Sequence, residues 1–126
     1  MARIILIEDD EALRPMLVKM IERLGHEVRS EADGKAGLGQ VRVWEPDLVV
    51  TDMIMPGQEG AETIFRLRRE FPGVKIIAMS GGGRLGGADY LALAKKLGVA
   101  TTLAKPFSRD EFKIALEVAL GNASQP

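Results

Sequence analysis

Four short apolar runs in this chain each end in a residue able to do chemistry. Leu48-Val49-Val50-Thr51 leads into Asp52 and then into Met53-Ile54-Met55-Pro56-Gly57, so an acid stands where a strand stops and Pro56 and Gly57 end the run. Ile4 to Ile7 leads into Glu8-Asp9-Asp10, Lys75 to Met79 into Ser80, and Thr101 to Ala104 into Lys105-Pro106. Crowded carboxylates repel one another unless a cation joins them. The donors here are hard oxygens with no His or Cys nearby in sequence, a set that selects Mg²⁺ or Mn²⁺ over zinc. Magnesium keeps several waters and binds through one or two carboxylates plus a phosphoryl oxygen, so the set points to phosphate chemistry. Lys105 would add positive charge for a transferring phosphoryl group, and Ser80 would donate a hydroxyl hydrogen bond to it. Asp52, ending the most apolar strand, is the natural nucleophile, and a carboxylate attacking phosphorus forms an acyl phosphate.

Those residues need a scaffold that brings four strand ends together. Arg3 to Ile7 is continuously apolar and β-branched, as in a central parallel strand covered on both faces. Leu13, Met16, Leu17, Met20, Ile21 and Leu24 form a one-sided helical stripe that Gly25 stops, with Pro15 near its start. Glu27 to Ser30 reads as a short polar edge strand, and Asp33-Gly34 opens a second helix weakened by Gly37 and Gly39. Pro46 ends it ahead of the Asp52 strand. Ala61, Ile64, Leu67 and Phe71 mark a third helix closed by Pro72-Gly73. The glycine-rich connector 81–87 leads to a fourth helix with Tyr90, Leu93, Ala94 and Leu97, capped by Gly98. Ser108 and Glu111 form a capping box for a last helix with Phe112, Ala115, Leu116 and Ala119 inward and Gly121 at its end. Five β-α units without repeats imply an α/β doubly wound parallel sheet with helices on both faces. Of the two common strand orders, five strands favour 2-1-3-4-5, which sets the Glu8-Asp9 strand beside the Asp52 strand at the switch point.

Bulk properties narrow the function classes. At 126 residues, residues 1–121 make one domain and 122–126 a polar tail. A composition 46% hydrophobic and 28% charged is that of a soluble globular protein, with no apolar run near the roughly 20 residues that cross a bilayer. The Met-Ala-Arg start is no signal peptide, and the absence of cysteine fits a reducing, cytoplasmic setting. A net charge of −1 supplies no basic field, so direct nucleic-acid binding is not expected.

Ile-Glu-Asp-Asp-Glu at 7–11, Thr-Asp-Met-Ile-Met-Pro-Gly at 51–57, Met-Ser-Gly at 79–81 and Lys-Pro-Phe at 105–107 together resemble the receiver domain of two-component response regulators, a flavodoxin-like fold. The strand order is thereby recognised as much as deduced. The resemblance implies that Asp52 accepts phosphate from a histidine kinase or histidine phosphotransfer protein. It implies that Asp9 and Asp52 hold magnesium directly, Glu8 through water, with the Ile54 backbone carbonyl completing the set. Ser80 would shift toward the phosphoryl group, Lys105 would be its ion partner, and Pro106, following a cis bond, would hold Lys105 in place. Output to a downstream protein target would leave through the face of the fourth helix, fifth strand and last helix.

Three features depart from the family pattern. Thr102, three before Lys105, stands where the family often has a Tyr or Phe that swings inward with the hydroxyl residue, so that switch is in question. Ile54 cannot orient an attacking water, which leads us to expect a long-lived acyl phosphate; loss no slower in wild type than in Ile54→Asn would count against it. The glycine run after Ser80 is longer than the pattern leads one to expect. The chain is thus expected to be a stand-alone receiver and not an enzyme with an external product; a phosphorelay carrier, a phosphorylation-independent adaptor and a small aspartyl phosphohydrolase are the alternatives.

Plainer readings also compete. Asp10 and Glu11 suit a solvated helix start. Gly81 to Gly86 matches G-x-G-x-x-G, but in the fourth unit and with no acid suitably placed for a ribose, so nucleotide binding is disfavoured. His26 reads as a surface loop residue, Trp44 as packing against the sheet, and Met16 and Met20 as core filler.

Overall fold

The computed structural model describes residues 1–53, 60–81, 92 and 94–121. Ile54, Pro56, Gly57, the glycine connector from Gly82, Tyr90, Leu93 and the 122–126 tail lie outside the described residues. Strands β1 (Arg3–Ile7), β2 (Glu27–Glu31), β3 (Leu48–Asp52), β4 (Lys75–Gly81) and β5 (Thr101–Lys105) form one sheet. All pairs are parallel, as the alternating pattern implies, and the order is β2-β1-β3-β4-β5, the one favoured from sequence. Helices α1 (Leu13–Arg23), α2 (Gly34–Trp44) and α3 (Gly60–Glu70) follow the first three strands, Ala92 and residues 94–96 are helical, and the last helix spans Arg109–Leu120.

Alternation along the strands divides the core into two layers. Ile4, Leu6, Val50, Met79 and Leu103 face α1 and the last helix, meeting Leu17, Ile21, Phe112 and Leu116. Ile5, Ile7, Val49, Ile76 and Ala78 face the other way, toward Leu38, Val41, Ile64, Leu67 and Ala94. Because β1 and β3 are buried on both sides, their apolar side chains contribute about 2 kcal/mol each through burial. β2 is an edge strand whose Glu27 and Arg29 are exposed and Glu31 half-buried. Charged residues at such an edge are the expected pattern.

Local signals act where the sequence placed them. Asp33 caps α2, its side chain accepting from the Ala36 amide. Ser108 and Glu111 complete their reciprocal capping box at 3.0 and 2.7 Å. Gly25, Gly98 and Gly121 all have positive φ at helix ends, and Glu45, before Pro46, is left-handed.

Four readings need correction or completion. β4 runs two residues further than the apolar pattern suggests, carrying Ser80 and Gly81 within the sheet, because the β5 ladder continues to Gly81 opposite Lys105. Met16 is 59% exposed on α1, outside the core, since Leu13, Leu17 and Ile21 turn the inward face away from it. His26 does lie in the loop between α1 and β2, but half-buried, and its Nδ1 accepts the Ala2 amide at 3.0 Å. Gly37 is more than a weakness in α2, because a Cβ there would collide with Ile7 Cδ1 and Cγ1. Trp44 does pack against the core layer beneath α2, with the guanidiniums of Arg3 and Arg29 each over its ring.

Candidate functional site

Parallel strands of matched length put all their carboxyl ends on one rim of the sheet. Ile7 pairs with Thr51, Asp52 with Met79 and Gly81 with Lys105, so the residues leaving β1, β3 and β5 converge across neighbouring strands. Glu8 continues the sheet through its amide to the Glu31 carbonyl at 3.0 Å, and Asp9 follows. One carboxylate oxygen each from Glu8, Asp9 and Asp52 lies within 4.8 Å of the others. Lys105 enters this group from β5, its Nζ donating to Glu8 Oε1 at 2.7 Å and to Asp52 Oδ2 at 3.0 Å.

Burial makes the arrangement costly without compensation. Glu8 is 1% exposed and Asp52 4%, and three acids against one amine leave a formal charge of −2. Burial pushes the Glu8 carboxyl above its ordinary range; the Lys105 bond and the Asp10 amide pull it back, the neighbouring Asp52 charge adds to the rise, and the net direction is upward. For Lys105, burial works against the ammonium, but the hydrogen bonds and charges of Glu8 and Asp52 outweigh it and hold the pKa above its usual value. The residual negative charge, the hard oxygen donors and their mutual spacing fit a divalent cation of the Mg²⁺ or Mn²⁺ kind. Glu8, Asp9 and Asp52 are the residues able to hold one.

Other expected members take distinct places. Ser80 is buried on β4, next to β3, its hydroxyl 3.4 Å from the Gly81 carbonyl. Thr102 is half-buried on β5 opposite Ala78, three residues before Lys105. The Lys105–Pro106 peptide is cis, as the resemblance implies. Asp10 stands apart from the carboxylate cluster: exposed, it accepts the Ala12 and Leu13 amides at 2.8 and 3.0 Å. Those two bonds hold its carboxyl below the usual range. Sequence reading passed over Arg14, whose Nη1 donates to the Glu8 carbonyl at 2.8 Å. Its signal was position, a lone base one turn beyond a run of acids.

Comparison with known proteins agrees with this geometry. Residues 4–117 match the family described as the response regulator receiver domain. Sporulation initiation phosphotransferase F of Bacillus subtilis (strain 168) is 31% identical over 115 residues, covering 91% of this chain and 90% of that protein. The DNA-binding transcriptional regulator NtrC of Azospirillum brasilense is 34% identical over 125 residues, and there the chain spans a quarter of the relative's length: 99% of this chain, 25% of NtrC. The crystal structure of a response regulator receiver domain protein from Clostridium thermocellum superposes with a TM-score of 0.87 at 27% identity, covering 96% of this chain and 95% of that one. With the strand order, the acidic rim and the match over residues 4–117 in agreement, the chain belongs to the response regulator receiver domain family.

Proposed function

We propose that this chain takes a phosphoryl group onto Asp52 from a phosphohistidine of a histidine kinase or phosphotransfer protein, and passes the change on through its surface. The observation that carries the reading is Lys105 Nζ bridging Glu8 and Asp52, with Asp9 completing a cluster of three carboxylates. An oxygen of Asp52 attacks phosphorus, a P–O bond forms, and the P–N bond to the donor imidazole breaks. The released ring nitrogen keeps the electron pair and takes a proton from water. Lys105 offers its ammonium to the phosphoryl oxygens, and the buried surroundings of Asp52 strengthen that attraction. A divalent cation held by Asp9, Asp52 and Glu8 would supply further positive charge to those oxygens.

In this reading the receiver domain catalyses its own phosphorylation and releases no external product. Exposed Ile114 and Val118, one turn apart on the last helix, support output through the face that includes β5 and that helix. Phosphorylation would act by shifting the balance between two arrangements of that face. The formal charge of −1 argues against direct nucleic-acid contact. No helix among the described residues is long and apolar enough to cross a membrane. A carrier role in a phosphorelay is the second reading, favoured by near full-length similarity to a protein named a phosphotransferase.

Intact-mass measurement after phosphoramidate treatment tests the proposal. Wild type with Mg²⁺ should gain the mass of one HPO₃, and both Asp52→Asn and metal-free wild type should gain little or none. A full gain in Asp52→Asn would remove Asp52 as the acceptor.

A further inference from the structure

Arg14 stands in the first turn of α1 and reaches back over the turn that carries the acids. Its Nη1 donates to the Glu8 carbonyl and its Nη2 to Glu11 Oε1, both at 2.8 Å. The Arg14 side chain is 18% exposed and that of Glu11 80%, so the grip on the carbonyl is the sheltered half of this fork. That carbonyl belongs to the peptide joining Glu8 to Asp9. Because a peptide unit is planar, holding its oxygen fixes the plane and restricts ψ of Glu8 and φ of Asp9 together.

The rest of the turn is tied in the same direction. The Asp10 amide donates to Glu8 Oε2 at 3.1 Å, and the Arg14 amide donates to the Asp10 carbonyl at 3.0 Å. Asp10 in turn takes the Ala12 and Leu13 amides. Asp9 lies inside this loop of bonds, yet among the described residues nothing hydrogen-bonds its carboxylate. Its direction is therefore set through the backbone.

We infer that Arg14 is a positioning residue, clamping the Glu8–Asp9 peptide so that both carboxylates converge with Asp52. It does not touch the reacting atoms. Two effects of the guanidinium oppose each other: its clamp favours cation binding by ordering the ligands, and its charge disfavours it by repulsion. Ordering is the larger, since partners that orient metal ligands are worth about tenfold or more in metal affinity, whereas the charge is partly shared with Glu11.

The inference rests on the magnesium reading, and the test separates the two. Mg²⁺ affinity is measured by isothermal titration calorimetry on the full chain for wild type, Arg14→Lys and Arg14→Met, alongside metal-free thermal midpoints. Arg14→Lys keeps the charge and loses the planar fork; Arg14→Met loses both. Both variants should bind Mg²⁺ about tenfold more weakly, with saturating Mg²⁺ restoring the wild-type rate of phosphoramidate labelling. A lowered midpoint with unchanged affinity would make Arg14 merely structural and overturn the inference. So would tighter binding by Arg14→Met with Arg14→Lys unchanged, which would leave charge as its whole effect. If wild type itself takes up no Mg²⁺, the magnesium reading falls and this inference with it.

Discussion

The ammonium of Lys105 and the carboxylate of Glu8, 97 residues apart in the chain, meet at 2.7 Å, closer than Lys105 meets Asp52. Lys105 therefore does two jobs. It stands beside the proposed acceptor, and it neutralises an acid that burial would otherwise leave uncompensated.

Replacing Lys105 by Met should accordingly unfold the protein more easily, as well as impair phosphorylation. With Glu8 1% exposed and left without a cation, the loss should be about 3 kcal/mol, near the low end for breaking a buried pair. Urea denaturation of wild type, Lys105→Met and Lys105→Arg would show it. Equal midpoints for Lys105→Met and wild type would mean that the pair contributes nothing to the fold.

Asp52→Asn should move stability the other way when no metal is present. It lowers the formal charge of the cluster from −2 to −1 and keeps the shape of the side chain. A gain of about 1 kcal/mol is expected. Mg²⁺ at about a hundred times its dissociation constant should then stabilise wild type by about 2.7 kcal/mol and the variant by much less, reversing their rank. Thermal scans with EDTA or with Mg²⁺ would expose a failure of that reversal.

His26 makes stability depend on pH in the neutral to acid range. Burial, and then the nearby N-terminal ammonium, lower its pKa below the ordinary 6.5, and its Nδ1 must stay unprotonated to accept the Ala2 amide. A lowered folded pKa means that the unfolded chain takes up the proton first. The contribution is thus complete above 6.5 and is lost as pH falls through the folded value. Since this is the chain's one histidine, its ring protons can be followed by NMR. Wild type should lose midpoint relative to His26→Asn between neutral pH and about pH 5.5; parallel curves would dismiss the ring as the cause.

Two glycines of α2 should respond in opposite directions. Gly37→Ala drives a methyl into Ile7 on β1 and should cost about 2 kcal/mol. Gly39 has nothing within 4 Å of an added Cβ, so Gly39→Ala should stabilise by about 0.5–1 kcal/mol through helix propensity. Equilibrium unfolding of the two variants side by side checks both signs at once.

Much of this architecture was legible in the sequence because its signals are local. Ser108 with Glu111, Asp33 before Gly34 and the two-sided apolar runs of β1 and β3 each state their role within a few residues. The convergence of Glu8, Asp9, Asp52 and Lys105 followed once strand order was assigned, since parallel strands share one carboxyl rim. What stayed hidden depends on directions that no spacing encodes. Arg14 folds back on the Glu8 carbonyl, Met16 falls just off the inward stripe of α1, and the missing side chain of Gly37 is explained only by Ile7 across the gap. Lys105 could be placed beside Asp52 from sequence, but not its shorter bond to Glu8.

The edge strand β2 carries one further consequence. Read from either end, Glu27-Val28-Arg29-Ser30-Glu31 presents the same succession of charges: negative, positive, negative. A second copy docking there in parallel sets Glu27 on Glu27 and Arg29 on Arg29, and an antiparallel copy centred on Arg29 sets Glu27 on Glu31. Either alignment brings like signs face to face, which cross-strand pairing penalises. The β2 border of the sheet thereby resists in-register pairing with its own twin through a charge palindrome, whereas a slip of two residues would set Glu27 against Arg29.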